Sequence, residues 1–324
     1  MLKTAVIGVG GMGANHARVL SEISNLQAVC DLQKKTATEV AKKYKCKAYT
    51  NFEEMLKKEQ IEAVTVAVPT KNHLEVATKI LQAGVHVLVE KPITETVKDA
   101  KTLLELARKS KQIFMVGHIE RFNPAVQALK KVVDNQELGR ILSLSVRRVG
   151  VYPARDEQAT VITDLAIHDV DVFNFLLEKQ PTNAMCASGS SLNTELSNDY
   201  ATLLLLYGTT HASIEVNWLT PVKIRKLWIT AEQGYAELDY IDQTLTLLRR
   251  NFSRDYDEYG KIITKFGEPT QWKVPVKKQE PLVVELKHFL DCVKKNKKPI
   301  ITGEEALQAL QALESLKTIE PNEK

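Results

Sequence analysis

K-T-A-V-I-G-V-G-G-M-G, residues 3–13, is the stretch that decides the fold. A short apolar run rich in β-branched residues ends in Gly8, and Gly10 and Gly13 complete the spacing G-x-G-x-x-G. Residues 14–23 follow at once with apolar side chains at helical spacing. In such a strand–turn–helix the first glycine permits the tight turn, and the second lets the backbone approach a pyrophosphate. The third lets helix and strand pack closely, so the phosphates rest on the helix N-terminus. Gly11 and Met12 belong to the same cradle. The pattern alone is weak evidence, because glycine-rich turns are common. Asp31 strengthens it: it ends the second strand, where a carboxylate accepts hydrogen bonds from the adenosine ribose hydroxyls. That carboxylate would repel the 2'-phosphate of NADP, so NAD is expected as cofactor in preference to NADP. Lys34 and Lys35, at the start of the next helix, are within reach of such a phosphate but read first as exposed helix residues.

Outward from this stretch the alternation continues to about residue 117. Candidate strands cover residues 4–9, 26–30, 63–68, 85–89 and 113–116, and candidate helices cover 14–23, 34–44, 52–58, 73–83 and 97–110. This is the pattern of a doubly wound parallel sheet. After Pro124 the rhythm changes to a helix, a strand over 141–149, a helix over 164–177, and strands over 184–190, 200–206, 211–218, 224–230 and 244–248. These predict an α+β domain with an open, mainly antiparallel sheet arranged as a meander. Helices over 281–294 and 304–318 close the chain. The expected division is 1–122 for dinucleotide binding and 123–324 for substrate binding and oligomerisation, with the last helices returning to the first domain. Leu203, Leu204, Leu205 and Leu206 make one strand apolar on both faces, which predicts cover on both sides, by helices of the same domain and by a second subunit, unless it is simply one extra leucine at a sheet edge.

Composition excludes several classes. The chain has 324 residues, 44 basic and 40 acidic, giving a net charge of +4 spread along its length, so no nucleic-acid footprint is expected. The lysines of 294–298 read as a solvated helix end. Four cysteines, Cys30, Cys46, Cys186 and Cys292, form no C-x-x-C pair, so neither a metal site nor a disulfide framework is expected. No apolar run reaches the length of a signal core or a membrane span, and the cytoplasm is the expected compartment.

Two further segments carry chemistry. Glu90, Lys91 and Pro92 follow the 85–89 strand at the carboxyl edge of the sheet, where open α/β sheets bind ligands. Asp164 and His168 lie four apart on a predicted helix and so share a face, which Asp171 extends. Oxidising an alcohol needs a base for the hydroxyl proton, and histidine titrates nearest working pH. His168 is the candidate base, Asp164 would orient it and hold a substrate hydroxyl, and Lys91 would hydrogen-bond the reacting oxygen. The plain alternatives are a strand-end Glu-Lys pair and a helix-surface Asp–His pair. Arg147, Arg148 and Arg155, with Tyr152 between them, could receive a substrate pyrophosphate and ring.

Together these residues resemble the glucose-fructose oxidoreductase/inositol dehydrogenase (Gfo/Idh/MocA) family over essentially the whole chain. The match consists of G-V-G-G-M-G from Gly8, the segment from Pro69 to His73, E-K-P from Glu90, G-H-I-E-R-F-N-P from Gly117, and D-L-A-I-H-D-V-D from Asp164. The resemblance implies a Rossmann domain followed by an open antiparallel sheet used for oligomerisation. It implies Lys91, Asp164 and His168 as the catalytic residues. It also brings Pro69, His73 and Glu90 to the cofactor and Arg121 to the substrate. Within the family, residues 148–171 are most similar to members that oxidise the 3-hydroxyl of UDP-N-acetylglucosamine, whose product an aminotransferase would consume. An inositol or free-monosaccharide dehydrogenase and a non-catalytic sugar or dinucleotide sensor remain the alternatives.

Overall fold

Ala5, Val6 and Ile7 are shielded almost completely from solvent in the computed structural model, which describes residues 1–151, 160–191 and 198–319. They form the centre of β1 (Lys3–Ile7), and the chain then runs α1 (Gly11–Ile23), β2 (Asn25–Cys30), α2 (Lys34–Tyr44), β3 (Lys47–Tyr49), α3 (Phe52–Glu59), β4 (Ala63–Val66), α4 (His73–Gln82), β5 (His86–Glu90), α5 (Val97–Ser110) and β6 (Phe114–Gly117). All six strands are parallel, in the order β3-β2-β1-β4-β5-β6. β4 and the middle of β5 are buried without alternation, as a sheet covered on both faces requires. Strand order reverses at β1, which opens the ligand crevice between the carboxyl ends of β1 and β4. The three-residue β3 was not legible in the sequence: it is short and mostly exposed, so it has no apolar pattern.

The second stretch runs α6 (Pro124–Asp134), β7 (Ile141–Val151), a π-helical turn (Ile162–Ala166), α7 (Ile167–Leu177), β8 (Asn183–Gly189), β9 (Tyr200–Tyr207), β10 (Thr210–Asn217), β11 (Leu219–Ala231), β12 (Gly234–Asp239), β13 (Thr244–Arg249), β14 (Phe252–Tyr256), β15 (Ile262–Phe266) and β16 (Thr270–Val274). The chain ends with α8 (Pro281–Lys295), α9 (Gly303–Glu314) and β17 (Lys317–Thr318). By packing, Met1–Phe122 and Glu280–Glu314 form one unit, and Asn123–Gln279 with the chain from Ser315 on forms the other. α9 is seated tightly in the first unit: a Cβ on Gly303 would come within 2.1 Å of Leu104.

The sheet of the second unit is mixed, in the order β16-β13-β12-β11-β7-β10-β9-β8-β17. The expected simple meander is corrected here. β7 lies between β10, to which it is parallel, and β11, to which it is antiparallel. Only Trp218 separates β10 from β11, and one residue is too few for a two-residue hairpin turn. The chain instead steps across the Val151 end of β7. A second correction concerns the last predicted helix, which stops at Glu314 rather than 318. Lys317 and Thr318 pair in parallel with Met185 and Cys186, because the β8 edge offers open backbone groups and β-branched Thr318 and Ile319 favour extended chain. In β9, Leu203 and Leu205 are fully buried, whereas Leu204 and Leu206 on the other face are half-buried. The four cysteines are free, and among the described residues no helix is long and apolar enough to cross a membrane.

Candidate active site

The glycine cradle has the conformation its chemistry demands. Gly8 sits at φ +79°, and a Cβ there would lie 2.7 Å from the Ala67 carbonyl oxygen. On Gly13 a Cβ would fall 1.7 Å from the Gly8 carbonyl oxygen, so α1 is packed directly on the turn. Around Gly10 and Gly11 a Cβ would meet nothing within 4 Å, which leaves that side open. The N-termini of α3, α5 and α6 are capped by Asn51, Thr96 and Asn123. That of α1 begins at Gly10, with no side-chain cap and no acidic residue in its first turn. Its N–H groups and dipole are thus left for an anion.

Asp31 is tied to the same turn. Val9 N–H donates to its Oδ2 at 2.9 Å and Gln33 N–H to its Oδ1 at 2.9 Å, while the side chain stays partly exposed with lone pairs to spare. Glycine cradle and carboxylate together fit a dinucleotide.

At the carboxyl end of β5, Glu90 is 8% exposed and its Oε1 lies 2.8 Å from His16 Nε2, while Lys91 N–H donates to its Oε2 at 3.2 Å. Lys91 itself is half-buried. His73 and Pro69, both expected at the cofactor, separate: Pro69 is exposed, whereas His73 is buried with its ring nitrogens 2.9 Å from Pro92 O and 3.0 Å from Val68 O. Both oxygens only accept, and burial holds the ring below its ordinary pKa, so a neutral His73 donates to one of them. Its place is a tie between the loops after β4 and β5. Arg121 is likewise 2% exposed and bonded to Glu305 Oε1 at 2.7 Å. That position makes it a brace beneath α9.

In the second unit, Thr160 and Thr163 cap each other: Thr163 N–H donates to Thr160 Oγ1 at 3.1 Å and Thr160 N–H to Thr163 Oγ1 at 3.2 Å. This launches the π turn that carries Asp164, in place of the uniform α-helix expected from residue 164. Such widened turns recur at functional sites. Asp164 and His168 are half-buried, so both retain access to solvent. Asp171, read as part of their stripe, is instead buried, and its charge adds to burial in keeping Tyr207 protonated.

Arg148 also departs from expectation. It is 1% exposed and forks onto Asp169, Nε to Oδ2 at 2.7 Å and Nη2 to Oδ1 at 2.8 Å, with its guanidinium 4.8 Å from the centre of the Tyr240 ring. A guanidinium so enclosed braces α7 from β7 and is not placed as a substrate contact. Arg147 pairs with Glu215 at the surface. Tyr152 and Arg155 lie outside the described residues. Sequence reading missed the Asp169 brace, although the signal was there: Arg148 shares the strand face of Leu144 and Val146, and Asp169 sits beside the apolar Ala166, Ile167 and Val170.

A glycine-rich turn on a parallel sheet, followed by a unit that sets half-buried Asp164 and His168 four residues apart at the start of a helix, is the arrangement of the dehydrogenase class of protein. The family model described as oxidoreductase family, NAD-binding Rossmann fold, matches residues 2–118, and the GFO/IDH/MocA C-terminal domain matches residues 126–237. The chain belongs to the Gfo/Idh/MocA family and is an NAD-binding oxidoreductase acting on CH–OH groups. It is similar to UDP-N-acetylglucosamine 3-dehydrogenase of Acidithiobacillus ferrooxidans, 28% identical over 292 residues that cover 90% of this chain and 88% of that protein. A solved structure of that enzyme, GnnA, superposes with a TM-score of 0.83 at 27% identity, covering 97% of this chain and 96% of the other. Similarity also extends to scyllo-inositol 2-dehydrogenase (NAD(+)) of Bacillus subtilis, 26% identical over 93% of this chain and 89% of that protein.

Proposed function

We propose that the protein oxidises the 3-hydroxyl of UDP-N-acetylglucosamine to the 3-keto sugar, with NAD preferred over NADP. The observation that carries this reading is the likeness to UDP-N-acetylglucosamine 3-dehydrogenase over nine-tenths of the chain. Asp31, held by Val9 and Gln33, supports NAD, because its charge disfavours a 2'-phosphate. NAD, when bound, supplies the hydride acceptor.

The chain's own residues supply the rest. His168 takes the hydroxyl proton as the C–H bond breaks, so the alcohol loses one hydride and one proton. Asp164 fixes the imidazole and receives a neighbouring hydroxyl. Lys91 donates a hydrogen bond to the reacting oxygen and stabilises its alkoxide character. Asp169 and Arg148 keep the turn bearing His168 in place. The half-buried Leu204 and Leu206 support a homodimer or homotetramer.

The inositol dehydrogenase relatives favour a second reading, oxidation of a free polyol with the same three residues. The test is a panel of UDP-sugars, free sugars and inositols incubated with NAD and an aminotransferase to consume the ketone. The proposal expects NADH formation and a nucleotide sugar two hydrogens lighter by mass spectrometry. Turnover of inositol with no UDP-sugar consumed overturns it in favour of the second reading.

A further inference from the structure

Three ionisable side chains from three elements of the first unit meet beside Lys91. His16 of α1 and Glu285 of α8 are fully buried, and Glu90 at the end of β5 nearly so. One nitrogen or oxygen of each lies within 4.8 Å of the other two, and His16 Nε2 is 2.8 Å from Glu90 Oε1. The space is built for this carboxylate: a Cβ on Gly117 of β6 would sit 3.1 Å from Glu90 Oε1. Glu285 reaches it from the apolar stripe of α8, among Leu282, Leu286 and Phe289, and neither of its oxygens has a hydrogen-bond partner in the structure.

Two carboxylates this close and this dry cannot both be charged without strong repulsion, so one holds a proton. Burial first, and then the charge of Glu90, push Glu285 well above the usual carboxylate range. Burial acts on Glu90 in the same direction. The hydrogen bond and charge of His16, with the charge and N–H of Lys91, outweigh it and hold Glu90 below that range. The other charged groups around the cluster have their own commitments. His73 is the tie between loops described above. On the turn Ile119–Phe122 packed against α8, Arg121 is paired with Glu305 and Glu120 is buried with a partner of its own. His288, one turn along α8, accepts from Ile300 N–H at 3.1 Å.

We propose that Glu285 is a positioning residue: its carboxyl proton is donated to Glu90, so that Glu285, Glu90 and His16 form one buried clamp on the backbone that carries Lys91. Rotation about the flexible Glu285 side chain closes the gap to the ~2.7 Å of an O–H···O bond. The clamp joins α1, β5 and α8 at the point where the reactive lysine leaves the sheet. This rests on the reading of Lys91 as the group that meets the reacting oxygen.

The experiment combines infrared spectroscopy and kinetics on the full chain. At neutral pH the parent protein should show the C=O stretch of a neutral carboxylic acid, lost in E285Q and E285L. E285L should fold and bind NAD as the parent does, yet lose roughly tenfold to hundredfold in kcat, the scale of a misplaced reacting group. E285Q, whose amide N–H replaces the donor, should retain most of the turnover. Absence of the band overturns the proposal, as does an E285Q as impaired as E285L, or a stoichiometric metal ion in the parent that E285Q loses. K91A separates the two readings. If K91A is inactive while E285L is fully active, only the clamp fails; if K91A is active, the Lys91 reading fails and the clamp with it.

Discussion

Removing Arg148 should cost the protein its fold stability before anything else. The guanidinium is 1% exposed, and Asp169, its forked partner, is 0% exposed. Truncation to alanine leaves a buried carboxylate that has lost two charge-assisted hydrogen bonds, at 2.7 and 2.8 Å. Breaking a buried pair from one side costs about 3–5 kcal/mol. The lost stacking on Tyr240 adds up to ~2 kcal/mol. At roughly 2–4 °C per kcal/mol for a unit of this size, the melting temperature of Arg148→Ala should fall by about 6–28 °C. Arg148→Lys keeps the charge but not the fork, so it should fall between. The double variant R148M/D169L removes the stranded charge and should recover much of the loss, because apolar replacement of a buried pair is often neutral. Calorimetry on the four proteins measures these differences, and kcat should fall with stability, since Asp169 adjoins His168. An Arg148→Ala protein that melts within about 1 °C of the parent and shows only a raised KM for the sugar would refute this reasoning and make Arg148 a substrate contact.

Other expectations follow from the same geometry. Asp31→Ser should weaken NAD and relatively favour NADP in calorimetric titrations; a parent protein that binds NADP tenfold tighter, about 1.4 kcal/mol, contradicts the reading of Asp31. Gly13→Ala places a Cβ 1.7 Å from the Gly8 carbonyl oxygen, so α1 must shift and NAD binding should weaken at least about tenfold; unchanged affinity would mean the cradle is not the phosphate site. Glu285 gives a pH prediction. Its pKa is raised in the folded state, so the native protein holds a proton that the unfolded chain releases above the ordinary value of 4.5. The resulting stability is complete below that value and is lost as pH rises toward the raised one. The melting temperature of E285Q should therefore gain on the parent's from about pH 5 upward, and parallel curves would exclude a buried proton.

The first unit was legible because its signals are local. Apolar runs, turn glycines and helical periodicity each act over a few residues, and helices 34–44 and 97–110 match their predicted bounds. β12, β14, β15 and β16 were not foreseen: β14 is exposed along its whole length and β16 is mostly exposed, so neither carries a buried-face pattern. The place of β7 in the sheet depends on a one-residue connection elsewhere in the chain, which no local pattern reports. At the candidate site, the tight turn at Gly8 and Gly13 was readable because the motif fixes backbone geometry. The burial of Arg121, Arg148 and His73 was not legible, because a cation or imidazole in a promising segment looks the same whether it faces solvent or the core. Alternation along β7 would have settled Arg148, since it shares the inward face with Leu144 and Val146. Glu285 could have been flagged as a carboxyl in the apolar stripe of Leu282, Leu286 and Phe289, but its partners lie nearly 200 and 270 residues upstream, beyond any periodicity.

In the proposed reaction a hydride leaves C3 of a UDP-sugar while Lys91 and His168 handle the oxygen and its proton. UDP-N-acetylglucosamine deuterated at C3, incubated with NAD and a ketone-consuming aminotransferase, tests it most directly. Mass spectrometry should find one deuterium in the reduced nicotinamide and none in the keto sugar. In folded, NAD-binding Lys91→Ala and His168→Ala proteins the transfer should slow by at least about a hundredfold. Deuterium retained in the sugar, or undiminished transfer in either variant, would contradict the account.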